Sequence, residues 1–174
     1  MRIGVAAAVL VLTAILGACS VLDHSSTSPR FDKDAKWVLL PIVNNTETAQ
    51  AGLRAEAVTE ALLRARGVAN LSVYPPALNR DTLFEPAERK IQDEALKWAR
   101  GSGARYAVYG AVDEWRYKVG IDGEPAVGIT LHVVDLTSGT VAWSGAGAKT
   151  GWSREALSAV AQKVIRDLLT GAQI

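Results

Sequence analysis

The sequence predicts a single α/β domain: a sandwich of one mixed β-sheet with helices packed on it, in the order β-α-β-α-β-β-β-α. Three observations lead there: two short apolar strands each followed by a helical periodicity, three long alternating strands joined by tight turns, and a final amphipathic helix. Residues 37–43 (WVLLPIV) form a short apolar run with β-branched content, closed by Asn44-Asn45-Thr46, and read as a buried strand. Pro41 removes a ladder donor, so that strand needs a bulge or an edge there. From Thr48 to Arg66, Leu53, Ala57, Val58, Ala61, Leu62 and Ala65 recur at helical spacing. Asn45 or Thr46 is expected to cap this helix, and Gly67 suits the position just past its end.

Leu71 to Tyr74 is a second strand, stopped by Pro75-Pro76. After a polar loop to Phe84, Glu85-Pro86 opens a helix with Ile91, Ala95, Trp98 and Ala99 on one face, ended by Gly101-Ser102-Gly103. Residues 106–119 alternate, with Ala107, Tyr109, Ala111, Trp115, Tyr117 and Val119 on one parity and Glu114, Arg116 and Lys118 on the other. Turns at 120–125 and at Thr137-Ser138-Gly139 carry this strand into residues 127–135 and 141–149, a three-stranded meander in which Asp135 caps the second turn. Ser153 is expected to cap the last helix, whose stripe of Leu157, Val160, Ala161, Val164, Ile165, Leu168 and Leu169 stops at Gly171.

Ahead of this domain, residues 3–18 are nearly all apolar, follow Arg2, and end in Leu16-Gly17-Ala18 before Cys19, the one cysteine. This is the pattern of a lipoprotein signal peptide (1–18) whose cleavage exposes Cys19 for lipidation. Residues 19–35, polar and serine-rich, are expected to be a flexible tether, leaving 36–174 as the folded domain. The 19 Lys and Arg include Arg2, so 18 basic residues face 18 acidic ones after cleavage, and the basic footprint of a nucleic-acid binder is missing. With a single cysteine no internal disulfide can form. Ser20 after the cysteine, rather than Asp, favours the outer membrane.

Chemistry-bearing patterns are sparse. The two histidines, His24 and His132, lack partners at ligand spacing, and His132 reads as a sheet-face or interface residue, so no metal site or cofactor is expected. No nucleophile motif or phosphate loop is present, and Asp113 and Glu114, adjacent in a strand, are expected on opposite faces, unable to act on one bond. The expectation is a protein without catalytic residues. Of five tryptophans, Trp37, Trp98, Trp115 and Trp143 read as core or interface. Trp152, in a Gly-Trp-Ser loop, fits either the core or a membrane interface.

Three stretches resemble a known superfamily: residues 38–48 leading into Ala55-Glu56-Ala57, then 104–112, then 134–143. They are similar to the envelope lipoproteins that include the curli secretion channel CsgG and the synthase activator LpoB, and most of all to the PelC lipoproteins of Pel exopolysaccharide export. The resemblance implies an outer-membrane lipoprotein on the periplasmic face, assembled as a homo-oligomeric ring of about twelve copies, its partners being a β-barrel porin and a cationic polysaccharide. In such a ring one acid per copy becomes a circle of charge, so Asp113, Glu114, Asp122 and Glu124 are candidates for a polysaccharide-guiding surface, and Trp152 for a membrane-interface contact. Pairing of Glu114 with Arg116 is the plainer alternative for that residue. Other roles within the superfamily, an LpoB-like activator or a CsgG-like secretion component, remain as alternatives. A tether of roughly 16 residues, reaching at most about 55 Å, is short for an activator.

Overall fold

In a computed structural model of the chain, which describes residues 20–25, 29–75, 87–120 and 123–174, these periodicities resolve into strands β1 (Ser20–His24), β2 (Trp37–Asn44), β3 (Leu71–Val73), β4 (Tyr106–Tyr117), β5 (Pro125–Asp135) and β6 (Thr140–Thr150), and helices α1 (Ala51–Ala65), α2 (Ala87–Gly101) and α3 (Leu157–Gly171). From Trp37 onward the order is the expected β-α-β-α-β-β-β-α. One mixed sheet runs β1-β6-β5-β4-β2-β3, with β2 parallel to β3 and β4 and every other pair antiparallel. The Pro75-Pro76 stop, the following loop and the Glu85-Pro86 helix entry fall largely on residues outside those described.

The extra strand corrects the expected tether. Ser20–His24 pairs with β6, Ser20 opposite Lys149 and His24 opposite Gly145. Ser25 and Ser144 extend the pairing, the Ser25 N–H donating to the Ser144 carbonyl at 2.9 Å and the Ser144 N–H to Ser25 Oγ at 3.1 Å. Phe31, also inside the expected tether, is buried edge-on against Trp37 and Tyr106, with ring centroids 5.6 and 5.2 Å apart. The physical reason is the free edge of β6, which any extended segment can satisfy.

Helices α1 and α3 cover one sheet face, where Trp37, Leu39, Val108, Trp115, Leu131 and Trp143 meet Ala55, Leu63, Val164 and Leu168. On the other face α2 covers only one side, Ala95 and Ala99 packing with Val38, Leu40, Ala107 and Val134. Helix entries differ from expectation. α1 starts from Gln50 in a left-handed conformation (φ 61°) with no side-chain cap, because the expected Asn45 bonds Asp113 and Thr46 bonds Asn44 and Thr48; α3 starts from Ala156, not Ser153. Gly67 (φ +94°) follows α1 as expected, but Gly171 lies inside α3 and the left-handed residue beyond is Gln173.

Pro41 forces the bulge anticipated for β2, whose register with β4 shifts between Leu39 and Ile42. The Ile42 N–H freed there donates to Glu56 Oε1 of α1 at 2.9 Å. α1 reaches that close because of Gly52: a Cβ on it would lie 2.2 Å from the Ile42 carbonyl oxygen. Burial pushes the Glu56 carboxyl above its usual 4.5, with the Ile42 hydrogen bond acting in the opposite sense. The protonated form is therefore favoured by folding, and this stabilisation, complete below pH ~4.5, is lost as pH rises through the folded pKa. Glu56→Gln keeps the acceptor without the charge. In denaturant titrations between pH 4 and 7 it should hold its stability where wild type declines, whereas Glu56→Ala, which leaves the Ile42 N–H unpaired, should lose about 1–3 kcal/mol.

Candidate functional site

Of the residues singled out by sequence, Glu124 and Trp152 lie at one end of the sheet, where β4 turns into β5 and β6 into α3. Tyr117 pairs with Pro125, and the Lys118 N–H donates to the Glu124 carbonyl at 2.7 Å. The Gly151 N–H donates to Pro125 O at 2.8 Å, and a Cβ at Gly151 would lie 2.5 Å from Val160 Cγ2 and 3.0 Å from Pro125 Cγ. Only glycine lets the chain tuck under at that point, and the next side chain, Trp152, is turned outward with 63% of its surface exposed. Tyr117 and Val119 are exposed beside it, at 51% and 101%. The Tyr117 hydroxyl accepts the Leu157 N–H at 3.2 Å, supplying the α3 entry with the cap that Ser153 does not. Ser20 comes to the same end through its pairing with Lys149. Cys19 itself, and Asp122 in the β4–β5 turn, lie outside the described residues.

A second bulge brings the acids together. The β4–β5 register shifts between Val112 and Glu114, leaving Asp113 as the extra residue. A Cβ on Gly128 would lie 3.4 Å from Glu114 Cβ and 3.9 Å from Asp113 Cβ, so both carboxylates rise from the same face, contrary to the alternation expected of a regular strand. The shift also inverts the parity that grouped Trp115 with Tyr109: Trp115 is buried in the main core. Asp113 accepts from Asn45 Nδ2 and Thr130 Oγ1, each at 3.0 Å, and no cation among the described residues lies within ion-pair distance of it. Glu114 instead pairs with Arg116 at 2.9 Å, as the plainer alternative held. With 63% of the arginine and 33% of the glutamate side chain exposed, that pair contributes about 0–1 kcal/mol. Glu124 is exposed.

Both carboxylates are thus engaged locally. His132 lies on the same sheet face, stacked on Tyr109 with ring centroids 4.8 Å apart, its Nδ1 2.8 Å from Ser144 Oγ. Among the described residues no group of three His, Cys, Asp or Glu is placed to hold a metal ion, and no helix is long and apolar enough to cross a membrane. The sequence signal for the shared face of Asp113 and Glu114 is weak: Gly128 and the small Ala111 flank the bulge, but neither announces it.

Against solved structures, a PelC dodecamer from Paraburkholderia phytofirmans matches at 38% identity and TM-score 0.74, over 89% of this chain and 99% of that one. A methionine-substituted PelC dodecamer from the same organism, in another crystal form, matches at 38% identity and TM-score 0.73, over 88% and 99%. Lipoprotein GNA1162 from Neisseria meningitidis shares the fold at 19% identity and TM-score 0.56, over 80% and 98%. No protein-family model and no curated protein matches the sequence. The domain is thus of the α/β class found in envelope lipoproteins. Within that class, the chain belongs to the PelC family.

The tryptophans and His132 give separable tests. Trp143 is 1% exposed, its Nε1–H without a partner among the described residues, so Trp143→Ala should lose about 3–5 kcal/mol in chemical denaturation, while exposed Trp152→Ala should stay within about 0.5 kcal/mol of wild type. Burial pushes His132 below its usual 6.5. Its neutral form is favoured by folding, so stability is full above pH ~6.5 and falls as pH drops toward the folded pKa. His132→Gln should flatten that part of the stability–pH curve.

Proposed function

We propose that this protein is an outer-membrane lipoprotein of exopolysaccharide export, anchored on the periplasmic face through Cys19 and assembled as a ring that guides a cationic polysaccharide toward a β-barrel porin. The observation that carries the reading is the convergence, in a chain 38% identical to PelC dodecamers, of Ser20 with exposed Tyr117, Val119 and Trp152 at one end. A lipid on the residue before Ser20 would meet the bilayer at that end, where an indole can sit at headgroup level. Repetition around a ring converts one weak aromatic contact per copy into firm attachment.

The acids fit the same arrangement. Glu124 lies between β4 and β5 at the end that would face the membrane, with Asp122 two residues before it in the sequence and Glu114 opposite Gly128 further along the strands, so a ring of copies would carry circles of negative charge near the mouth that meets the porin. Asp113 adds to that surface while also being hydrogen-bonded by Asn45 and Thr130. Many weak sites attract a polycation without trapping it.

Two measurements test the reading. Cys19→Ala should move the protein from the outer-membrane fraction to the soluble periplasm with its melting temperature unchanged; membrane retention at wild-type level counts against the anchor. Neutralising Glu114, Asp122 and Glu124 together, with Asp113 left in place, should reduce polymer export several-fold while assembly measured by mass photometry is preserved. Unaltered export removes the guiding role from these acids.

A further inference from the structure

Charge is divided across the end of the sheet that carries Trp152. The acids stand on the β4–β5 side, where Glu124 precedes Pro125, the first residue of β5, and Glu114, opposite Gly128, is paired with Arg116. The cations gather toward β6 and β1. Lys149, next to the last residue of β6, lies opposite Ser20, the first residue of β1. Lys118 leaves its own strand: its Nζ donates to Thr150 Oγ1 at 2.9 Å, which carries the ammonium group over β5 to the neighbour of Lys149. Arg154 sits in a turn closed by the Glu155 N–H, which donates to the Trp152 carbonyl at 2.8 Å, so its charge projects beside the exposed indole.

The carboxylates nearby are committed elsewhere. Glu155 pairs through Oε1 with Lys163 and accepts the Trp152 N–H through Oε2 at 3.4 Å. Its carboxyl is held below the usual 4.5 first by the Lys163 hydrogen bond, and Lys149 adds to that effect from further off. Asp23 stands opposite Ala146, three residues along β1 and about 10 Å from Ser20. Among the described residues no carboxylate lies within ion-pair distance of Lys118, Lys149 or Arg154. Lys118 and Arg154 are exposed, and Lys149 is half-buried.

We propose that Lys118, Lys149 and Arg154 form a collar beside the anchor that binds the phosphate groups of anionic phospholipids, in the leaflet that holds the lipid on Cys19. The inference rests on the anchor reading and adds to it what the surface of the domain recognises. Ammonium and guanidinium groups without carboxylate partners are ready ligands for phosphate oxygens. A zwitterionic headgroup brings its own cation to its phosphate, whereas phosphatidylglycerol offers phosphate without one. The collar therefore selects among lipids, which an indole at headgroup level does not. Each Lys or Arg near an anionic surface strengthens association about fivefold, so the three together act on the order of a hundredfold. The division of charge thus serves two ligands of opposite sign, lipid phosphate on the β6–β1 side and the polycation on the β4–β5 side.

The test uses the Cys19→Ala chain, so that no covalent lipid masks the contact, with circular dichroism melts against the lipidated protein to check folding. Flotation with vesicles of phosphatidylethanolamine and phosphatidylglycerol should show binding that vesicles of phosphatidylcholine alone do not match, and that falls as salt is raised. Lys118→Gln, Lys149→Gln and Arg154→Gln combined should weaken binding to the anionic vesicles on the order of a hundredfold. Arg30→Gln, Arg100→Gln and Arg166→Gln combined remove three exposed cations at the other end of the sheet and should leave it unchanged. Equal binding to both kinds of vesicle, undiminished binding by the collar variant, or an equal loss in the control variant overturns the proposal. The anchor reading fails separately, through membrane retention of Cys19→Ala in cells. Should the collar variant melt early, Lys118→Gln with Arg154→Gln replaces it, both being exposed; about a twentyfold loss is expected, and unchanged binding overturns the proposal.

Discussion

The contact between Gly52 and the Ile42 peptide determines where almost everything else can go. Pro41 interrupts the ladder of β2 just past the end of its pairing with β3, and an N–H left buried there without a partner costs about as much as a lost hydrogen bond. Glu56 satisfies that N–H, but only from a helix whose backbone lies directly on the strand, and only Gly52 permits such an approach. α1 is therefore fixed in azimuth. With Ala55 and Leu63 turned into the core, Leu53, Arg54, Ala57 and Ala61 have no direction left but outward.

Register irregularities do comparable work in the meander. Without the extra residue at Asp113, strict alternation would have sent Trp115 to the open face and parted the two acids. With it, an indole of large area enters the core and two carboxylates stand together, each held by a neighbour of opposite or complementary polarity. The sheet thus changes phase halfway along β4, separating an end organised for packing from an end organised for the surface.

The legible part of the fold was the part with a strong period. Three helices and five strands follow from apolar spacing, and the Pro41 bulge follows from a missing donor, because each depends on local chemistry alone. The Asp113 bulge was not legible, since residues on either side of it still alternate and only the partner strand reveals the slip. The helix entries were misjudged because Asn45, Thr46 and Ser153 are good caps by residue type, yet Asn45 bonds Asp113, Thr46 is committed to Asn44 and Thr48 in its own loop, and Tyr117, distant in sequence, reaches α3 first. β1 was hidden for another reason: all five of its residues are exposed, so no hydrophobic pattern marks a strand whose sole warrant is the free edge of β6. Of the site, exposed Trp152 and Glu124 were recognisable from turn residues around them, whereas their meeting with Ser20 is a property of the sheet order.

That meeting changes what an anchor at Cys19 can do. A flexible tether would let the domain tumble beneath the bilayer, with the lipid limiting only its distance. A strand that begins at the very next residue removes that freedom, because the pairing of Ser20 with Lys149 sets the attachment point against the sheet edge, near Trp152. It also leaves little chain to span the periplasm, which argues against action on a distant synthase. With a lipid on Cys19, as proposed, the strands would run away from the bilayer surface and both sheet faces would look sideways, parallel to the membrane plane, toward other anchored copies. Confinement to two dimensions raises the local concentration of such neighbours. The part of the sheet that α2 leaves open among the described residues, which would invite non-specific association in free solution, would in that geometry be presented mainly to copies held in the same orientation.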